Sequence, residues 1–447
     1  METLKKKYGF VTATAMVVGI VIGSGVFKSA GGVLDAAGGS LFTAIVAWLV
    51  GGAIMVVSAY AFSLIAVRVE KNSGIVDYVE EAAGEKAGYL MAWFMNFVYY
   101  PTLIGILAWL GGSISATLFG FTAASATWYL AALYLVGTYV LSILSPKLAG
   151  QWQVSATVIK LVPVALIAVV GLISGLFNGT TVDNFTNAAT NASAGSLAKA
   201  VAVTVFAYEG WIIATSINSE LRDAKKTLPR ALVFGTLAVV AAYLLFFLGL
   251  SGVLTNNRAI ELSGSLDTSV EAAKTLFGNF FGSAVVVLVL VSVLGTLNGL
   301  VMGGVRGMYA VSVRGKGPKP ELFTKLSKND ATVNSGFLSF VVTLFWGLLW
   351  FGNFEGWWNG NFMDTSILPI VFLYASYIVV YVFISRKLTD LNVYQRYVVP
   401  VVASLGALYL VYGAFTSDEK MFLYFALIVL VVTVVGFLTY GGKKQAE

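Results

Sequence analysis

Two short stretches decide how this chain is read: Val17-Val-Gly-Ile-Val-Ile-Gly-Ser-Gly-Val-Phe27 and Phe206-Ala-Tyr-Glu-Gly-Trp211. Each sets glycine in the middle of an apolar run, and the second adds an acid. Glycine weakens a helix, and at membrane depth a break is tolerated only where the freed backbone is buried in protein or lines a wet cavity. Half-helix ends then offer N–H groups to an anion, a role an amino acid carboxylate fits. A lone Gly-Ser-Gly also suits helices that merely pack closely. It is not a dinucleotide- or phosphate-binding loop, because no strand precedes it and no acid follows in a βαβ unit. Breaks at matching depth in two halves of a chain are the expected trace of inverted repeats with a ligand at their interface.

The composition supports a membrane setting. Of 447 residues, 58% are hydrophobic and 11% charged, whereas soluble domains carry roughly 25% charged residues. A spanning helix needs about 20 apolar residues. Runs of that kind occur near 8–34, 40–66, 87–116, 125–145, 151–176, 197–217, 230–255, 279–313, 334–352, 364–385, 396–415 and 421–440. The expectation is an all-α integral membrane protein of twelve transmembrane helices in one domain over 1–447. Residues 8–176 form a first repeat of five helices, 197–385 an inverted second repeat, and 396–440 two additional helices, with helices 1 and 6 broken. Cysteine and histidine are absent, which removes disulfides, thiol nucleophiles, Ser-His dyads, imidazole relays and ordinary zinc sites. No metal and no cofactor is expected.

The formal charge of +6 does not point to nucleic acid, since the basic residues sit in short tracts between apolar runs. Sorted by this topology, 21 of the 28 Lys and Arg residues fall on the side of the termini, five fall opposite (Lys28, Lys199, Arg258, Lys274, Lys420), and Lys160 and Arg306 lie within spans. By the positive-inside rule both termini are cytoplasmic. The first run lacks a small-residue cleavage site and is followed at once by another span, so it reads as a retained helix. The 177–196 loop holds Asn178-Gly-Thr, Asn184-Phe-Thr and Asn191-Ala-Ser, triplets open to glycosylation only in a eukaryotic secretory pathway.

Lys160 lies nine positions into span 5, and at 1.5 Å per residue that is roughly 13 Å from the cytoplasmic end, too deep to snorkel. A charge at such depth normally faces the bundle interior, paired or bonded to backbone carbonyls. An ammonium there would satisfy freed carbonyls of span 1, in the place a sodium ion takes in sodium-coupled carriers of this architecture. Glu209 is the acid at midplane depth, open to proton acceptance, to pairing with Lys160 or to a place in a solvated vestibule. Arg306 reads as structural near the cytoplasmic surface, and Tyr99, Tyr100 and Trp109 as packing or interface anchors.

These residues resemble the amino acid-polyamine-organocation superfamily, and within it the L-type amino acid transporter family. The resemblance rests on Gly23-Ser-Gly-Val-Phe27, on Thr157-Val-Ile-Lys-Leu-Val-Pro163 and on Phe206-Ala-Tyr-Glu-Gly-Trp211. Further support comes from Glu220-Leu-Arg-Asp-Ala-Lys-Lys-Thr-Leu-Pro-Arg-Ala231 and from Gly295-Thr-Leu-Asn-Gly-Leu300 followed by Arg306. It implies that backbone N–H groups of Gly23, Ser24 and Gly25 take the substrate carboxylate, and that carbonyls near Ile20 and Phe206 take the ammonium. Phe206 would close over the substrate as a gate, with Ala207 and Gly210 in the same segment, while Lys160 supports the broken first helix. Leu300 would face the substrate side chain, favouring a small neutral amino acid. Two departures are Glu209, where relatives often carry Asp or Gly, and Ser73-Gly74-Ile75 in place of a double glycine. Without cysteine the chain cannot join a heavy chain by disulfide, so it is expected to act alone, as a monomer, in a bacterial plasma membrane.

The resulting expectation is sodium-independent exchange of alanine-, serine- or threonine-like amino acids by alternating access, with proton symport through Glu209 as the alternative. A channel would need a continuous polar or charged lining. An intramembrane enzyme would need a convergent acid-base or metal constellation, and the sequence offers only scattered carboxylates and hydroxyls.

Overall fold

A computed structural model describes residues 9–69, 74–213, 215, 221, 223–327 and 331–441. Lys5 to Lys7, Lys71, Ser73, Glu220, Arg222, Lys328, Lys443 and Lys444, which entered the charge and motif readings, lie outside the described residues. Regular structure among the described residues is helical. In chain order the helices are α1 Phe10–Val21, α2 Gly25–Ala36, α3 Leu41–Ala66, α4 Ile75–Ala83, α5 Glu85–Phe94, α6 Tyr100–Phe119, α7 Ala124–Leu144, α8 Pro146–Ile159, α9 Leu161–Asn178 and α10 Thr180–Thr186. They continue as α11 Leu197–Thr204, α12 Ala224–Ser251, α13 Asn256–Glu261, α14 Asp267–Ser312, α15 Pro320–Phe323, α16 Val333–Gly352, α17 Leu368–Lys387, α18 Val399–Ser417 and α19 Glu419–Thr439. A π-turn, Met95–Tyr99, joins α5 to α6, so that the pair forms one 35-residue span, and a second, Tyr394–Val398, leads into α18.

Ten of these spans are long and apolar enough to cross a membrane, and the bent pair α1 and α2 makes an eleventh. The twelfth expected span, 197–217, begins as α11 but leaves helical geometry after Thr204. Span 8 starts where the sequence places it, because α14 is interrupted at Gly278, whose φ of 72° and ψ of 176° no helix accommodates. This is an all-α membrane fold.

The chain forms two compact units. The first comprises residues 1–82, 157–289 and 370–417. In it α12 packs against α1, α3 and α9, and α11 against α2, α3 and α18. The α9–α12 contact is made by glycines: a Cβ on Gly171 would stand 2.3 Å from the Gly249 carbonyl oxygen, and one on Gly249 would stand 2.3 Å from that of Ile167. Backbones approach this closely only where side chains are absent, as is usual where lipid supplies no hydrophobic drive for association. At the end of the pair, Asn184 is buried and donates through Nδ2 to the carbonyls of Ser251 (2.7 Å) and Leu254 (2.8 Å). In the folded chain its Asn-Phe-Thr triplet is therefore a packing element.

The second unit comprises residues 83–156, 290–369 and 418–447. Here α6 packs against α7 and α16, and α5 against α19. The Tyr139 hydroxyl bonds Ser339 Oγ at 2.8 Å and Thr343 Oγ1 at 2.9 Å, a polar staple between α7 and α16. Trp109 is a packing residue, buried with its ring centroid 5.5 Å from that of Trp350.

Replacing Gly249 with Leu forces a side chain into the space held by the Ile167 carbonyl. The expected cost is at least about 1–3 kcal/mol, the usual range for overpacking. Size-exclusion chromatography of a fluorescent fusion should show loss of the monodisperse peak, and an unchanged profile would refute the backbone contact.

Candidate functional site

The site is built from the breaks in spans 1 and 6, both in the first unit. Helix α1 ends because Ile22 turns extended (φ −66°, ψ 107°), although its N–H still reaches the Val18 carbonyl at 2.9 Å. Helix α2 restarts at Gly25, with its axis bent 58° from that of α1. Ser24 is its N-cap, but the Ser24 side chain makes no capping hydrogen bond. The first N–H groups of a helix have no partner inside it. Ser24 and Gly25 are buried, so the donors at the head of α2 lie inside the protein.

Span 6 breaks differently. Beyond Thr204 the backbone passes into turns, with the N–H groups of Ala207 and Tyr208 both bonded to the Thr204 carbonyl at 3.0 and 3.1 Å. At Gly210 φ is +106°, a conformation that side chains disfavour. A short 3₁₀ turn follows at Trp211–Ile213.

The two breaks meet through backbone. A Cβ on Gly25 would lie 2.6 Å from Ala207 Cα and 2.8 Å from the Phe206 carbonyl oxygen. A Cβ on Gly210 would lie 3.5 Å from the Ile20 carbonyl oxygen. Ile20, Gly23, Ser24, Gly25, Phe206, Ala207 and Gly210 are thus gathered in one place, with donors from span 1 beside carbonyls from both spans.

Other residues hold the breaks in shape, and sequence reasoning missed them. The buried Tyr243 hydroxyl on α12 donates to the Val21 carbonyl at 3.0 Å, which caps the end of α1, and it also interacts with the Gly23 backbone. Ser269 Oγ donates to the Phe27 carbonyl at 3.0 Å. Tyr243 has no motif around it; its only signal is a phenol inside the apolar run Ala241-Ala-Tyr-Leu-Leu245.

Lys28 corrects the sequence assignment to the loop opposite the termini. It is the fourth residue of α2, 8% exposed, and its Nζ lies 4.9 Å from the centroid of the Phe206 ring. A cation over an aromatic face is attracted to the ring quadrupole, so the expected gate residue carries a buried ammonium against it.

Lys160 is buried, 4% exposed, at the joint between α8 and α9, where its φ of −66° and ψ of −17° close the last turn. Glu209 is half-buried, and its charge acts on Tyr374, whose hydroxyl accepts from Trp211 Nε1 at 2.9 Å. Leu300 is half-buried on α14 in the second unit and is not part of the group that the first unit brings together. Asn298 of its motif donates to the Ala149 carbonyl at 3.0 Å. Arg306 is exposed on the same helix.

A family model described as amino acid permease matches residues 8–438. The chain belongs to the amino acid permease family. Over 322 residues it is 35% identical to the serine/threonine exchanger SteT of Bacillus subtilis, covering 71% of this chain and 70% of that protein. It is 30% identical over 304 residues to the human Asc-type amino acid transporter 1, and 33% identical over 246 residues to the mouse large neutral amino acids transporter small subunit 2. These two matches cover 66% and 54% of this chain, and 57% and 46% of the mammalian proteins. Its fold is similar to that of Mhp1, a nucleobase-cation-symport-1 family transporter solved in a closed conformation with bromovinylhydantoin bound. The TM-score is 0.59 at 13% identity, over 99% of this chain and 96% of that one. This permease is therefore an amino acid transporter of the multi-pass membrane type, and its relatives are carriers, not enzymes.

Gly25→Ala places a methyl group 2.6 Å from backbone that cannot swing aside. Amino acid uptake by this variant is expected to fall by about tenfold or more, because small misplacements of a positioning group cost on the order of a hundredfold. Protein levels in the membrane should persist. Uptake within twofold of wild type would mean that the two breaks are not held by this contact.

Proposed function

We propose that this permease is a sodium-independent exchanger of small neutral L-amino acids. The meeting of the span 1 and span 6 breaks at Gly25 and Ala207 carries this reading. Buried N–H groups at Gly23, Ser24 and Gly25 suit a carboxylate at the N-terminal end of α2, where the helix dipole favours negative charge. The carbonyls of Ile20 and Phe206 suit the α-ammonium. Phe206 closes over a seated substrate, and Leu300 faces its side chain. A closed state that gains contacts only when loaded couples binding to the conformational change.

Sodium independence follows from Lys160. Its buried ammonium does the work of a coupling cation, satisfying carbonyls that the span 1 break leaves free. Tyr243 shares that task at Val21. The 35% identity to a serine/threonine exchanger favours exchange and a small hydroxylated or aliphatic substrate. Alternating access proceeds by movement of repeats 8–176 and 197–385 about a midplane site. Each compact unit draws on both proposed repeats: the first holds spans 1, 2, 6, 7 and 11 with most of spans 5 and 10, and the second holds spans 3, 4, 9 and 12. We place both termini in the cytoplasm of a bacterial cell and take the carrier to work as a monomer. No disulfide can tie it to a heavy chain, because it has no cysteine.

Uptake of labelled serine or alanine into proteoliposomes tests this directly. Uptake should require unlabelled amino acid inside and be indifferent to external sodium, and Lys160→Ala should abolish or strongly impair it while the protein remains folded. Uptake into empty vesicles that follows a proton gradient would replace exchange by proton symport and make Glu209 the coupling residue. Normal exchange by Lys160→Ala would remove the proposed role of span 5.

A further inference from the structure

Away from the broken helices, the first unit holds a cavity of about 600 Å³ at one end of its spans. Its walls come from three separate parts of the sequence: the C-terminal end of α3, the N-terminal end of α12, and the segment around Asp390 and Gln395 that precedes α18. None of the residues of the proposed amino acid site lines it.

The chemistry of its wall is one-sided. Arg68, Lys225, Lys226 and Arg230 line it, and Asp390 is the one acid among the lining residues. Arg68 bonds Asp390, whose carboxyl it holds below the usual carboxylate range. Lys226 lies 3.8 Å from Asp223, an exposed pair of little strength. The lining keeps a surplus of positive charge. Tyr60 and Gln395, bonded to each other at 2.9 Å, add neutral donors and acceptors. Helix α12 is 28 residues long and begins here, so the positive end of its dipole lies at the same wall. Farther along α12 the lining becomes apolar at Val233 and Phe234, and Phe234 is 57% exposed on a helix that crosses the membrane.

A cluster of cations at a helix end, passing directly into an exposed apolar face of the same helix, matches one kind of molecule: a phosphate attached to an acyl chain. We propose that this cavity binds the phosphate headgroup of an anionic phospholipid, with Arg68, Lys225, Lys226 and Arg230 around the phosphate and Phe234 against the chain. Arginine and lysine serve this purpose differently. Arg230 can engage two phosphate oxygens at once, while the lysines act as point charges. Basic pockets between spanning helices are known to hold anionic headgroups. The volume lies within the range of small-molecule sites, about 300–1,000 Å³. The leaflet follows from the positive-inside assignment, which makes it the cytoplasmic one; the site itself depends neither on that nor on the proposed transport cycle.

Lipid retention by the purified full-length protein tests this without any transport measurement. Native mass spectrometry in detergent, after addition of phosphatidylglycerol or phosphatidylcholine, should show preferential retention of phosphatidylglycerol. The double variant Lys225→Gln/Arg230→Gln should weaken that retention by about tenfold or more, since each surface cation contributes on the order of fivefold. The exposed single variant Lys225→Gln should show a partial loss, so the test survives if the double variant folds poorly. Lys225→Arg/Arg230→Lys should keep the preference. Equal retention by wild type and the Gln variants would overturn the site. So would displacement of phosphatidylglycerol by equimolar glycerol phosphate, which would reassign the cavity to a free anion.

Discussion

Hydrocarbon offers nothing to a peptide group, so every backbone N–H and C=O inside a membrane must find its partner within the protein. The breaks at Ile22–Ser24 and beyond Thr204 release several such groups at once, and the organisation of the first unit answers to them. Tyr243 takes the Val21 carbonyl, and the Thr204 carbonyl serves both Ala207 and Tyr208. The remaining donors at the head of α2 are buried with the break and form the surface to which the proposed function assigns the substrate carboxylate. Folding the segment and building the site are, for this chain, one problem.

The same constraint explains why glycine dominates the contacts that matter. Lipid tails are as apolar as leucine, so helices in a membrane gain little by burying large side chains against each other and gain more from close approach. Gly25 against Ala207 and Gly171 against Gly249 are both contacts of backbone on backbone. Their functions differ. The second fixes two continuous helices in one crossing. The first joins two discontinuous segments, with the Lys28 side chain lying against the Phe206 ring beside it.

Much of this was legible in the sequence because membrane insertion imposes length and composition so strictly. Span 8 was placed at 279 by hydropathy, and Gly278 marks the same point by its dihedrals. Gly23-Ser-Gly25 and Phe206 to Gly210 announced the breaks through residue type alone. Tyr243 and Ser269 were not legible, because nothing local in the sequence names the partner of a hydroxyl, and only the fold reveals acceptors more than 200 residues away. Lys28 misled for a related reason. Positive-inside sorting put it on the side opposite the termini, yet helix α2 restarts after the break and carries it into the interior. A span counted as one straight run hides the extra length that a bend requires.

The basic residues show what a count leaves out. Positive-inside sorting treats Arg68, Lys225, Lys226 and Arg230 as four equal contributions to orientation, indistinguishable from Lys147 or Lys387. In the folded unit, Arg68 from the end of α3 and three residues from the first two turns of α12 share one cavity wall, whereas Lys147 and Lys387 do not line it. Orientation depends on how many cations lie on a side; recognition depends on convergence. Pro229 is the sixth residue of α12, inside the helix, where it has no N–H to offer the Lys225 carbonyl one turn earlier. The one helix that carries Lys225, Lys226 and Arg230 brings them to Arg68 from α3, a convergence that a count of charges along the sequence does not contain.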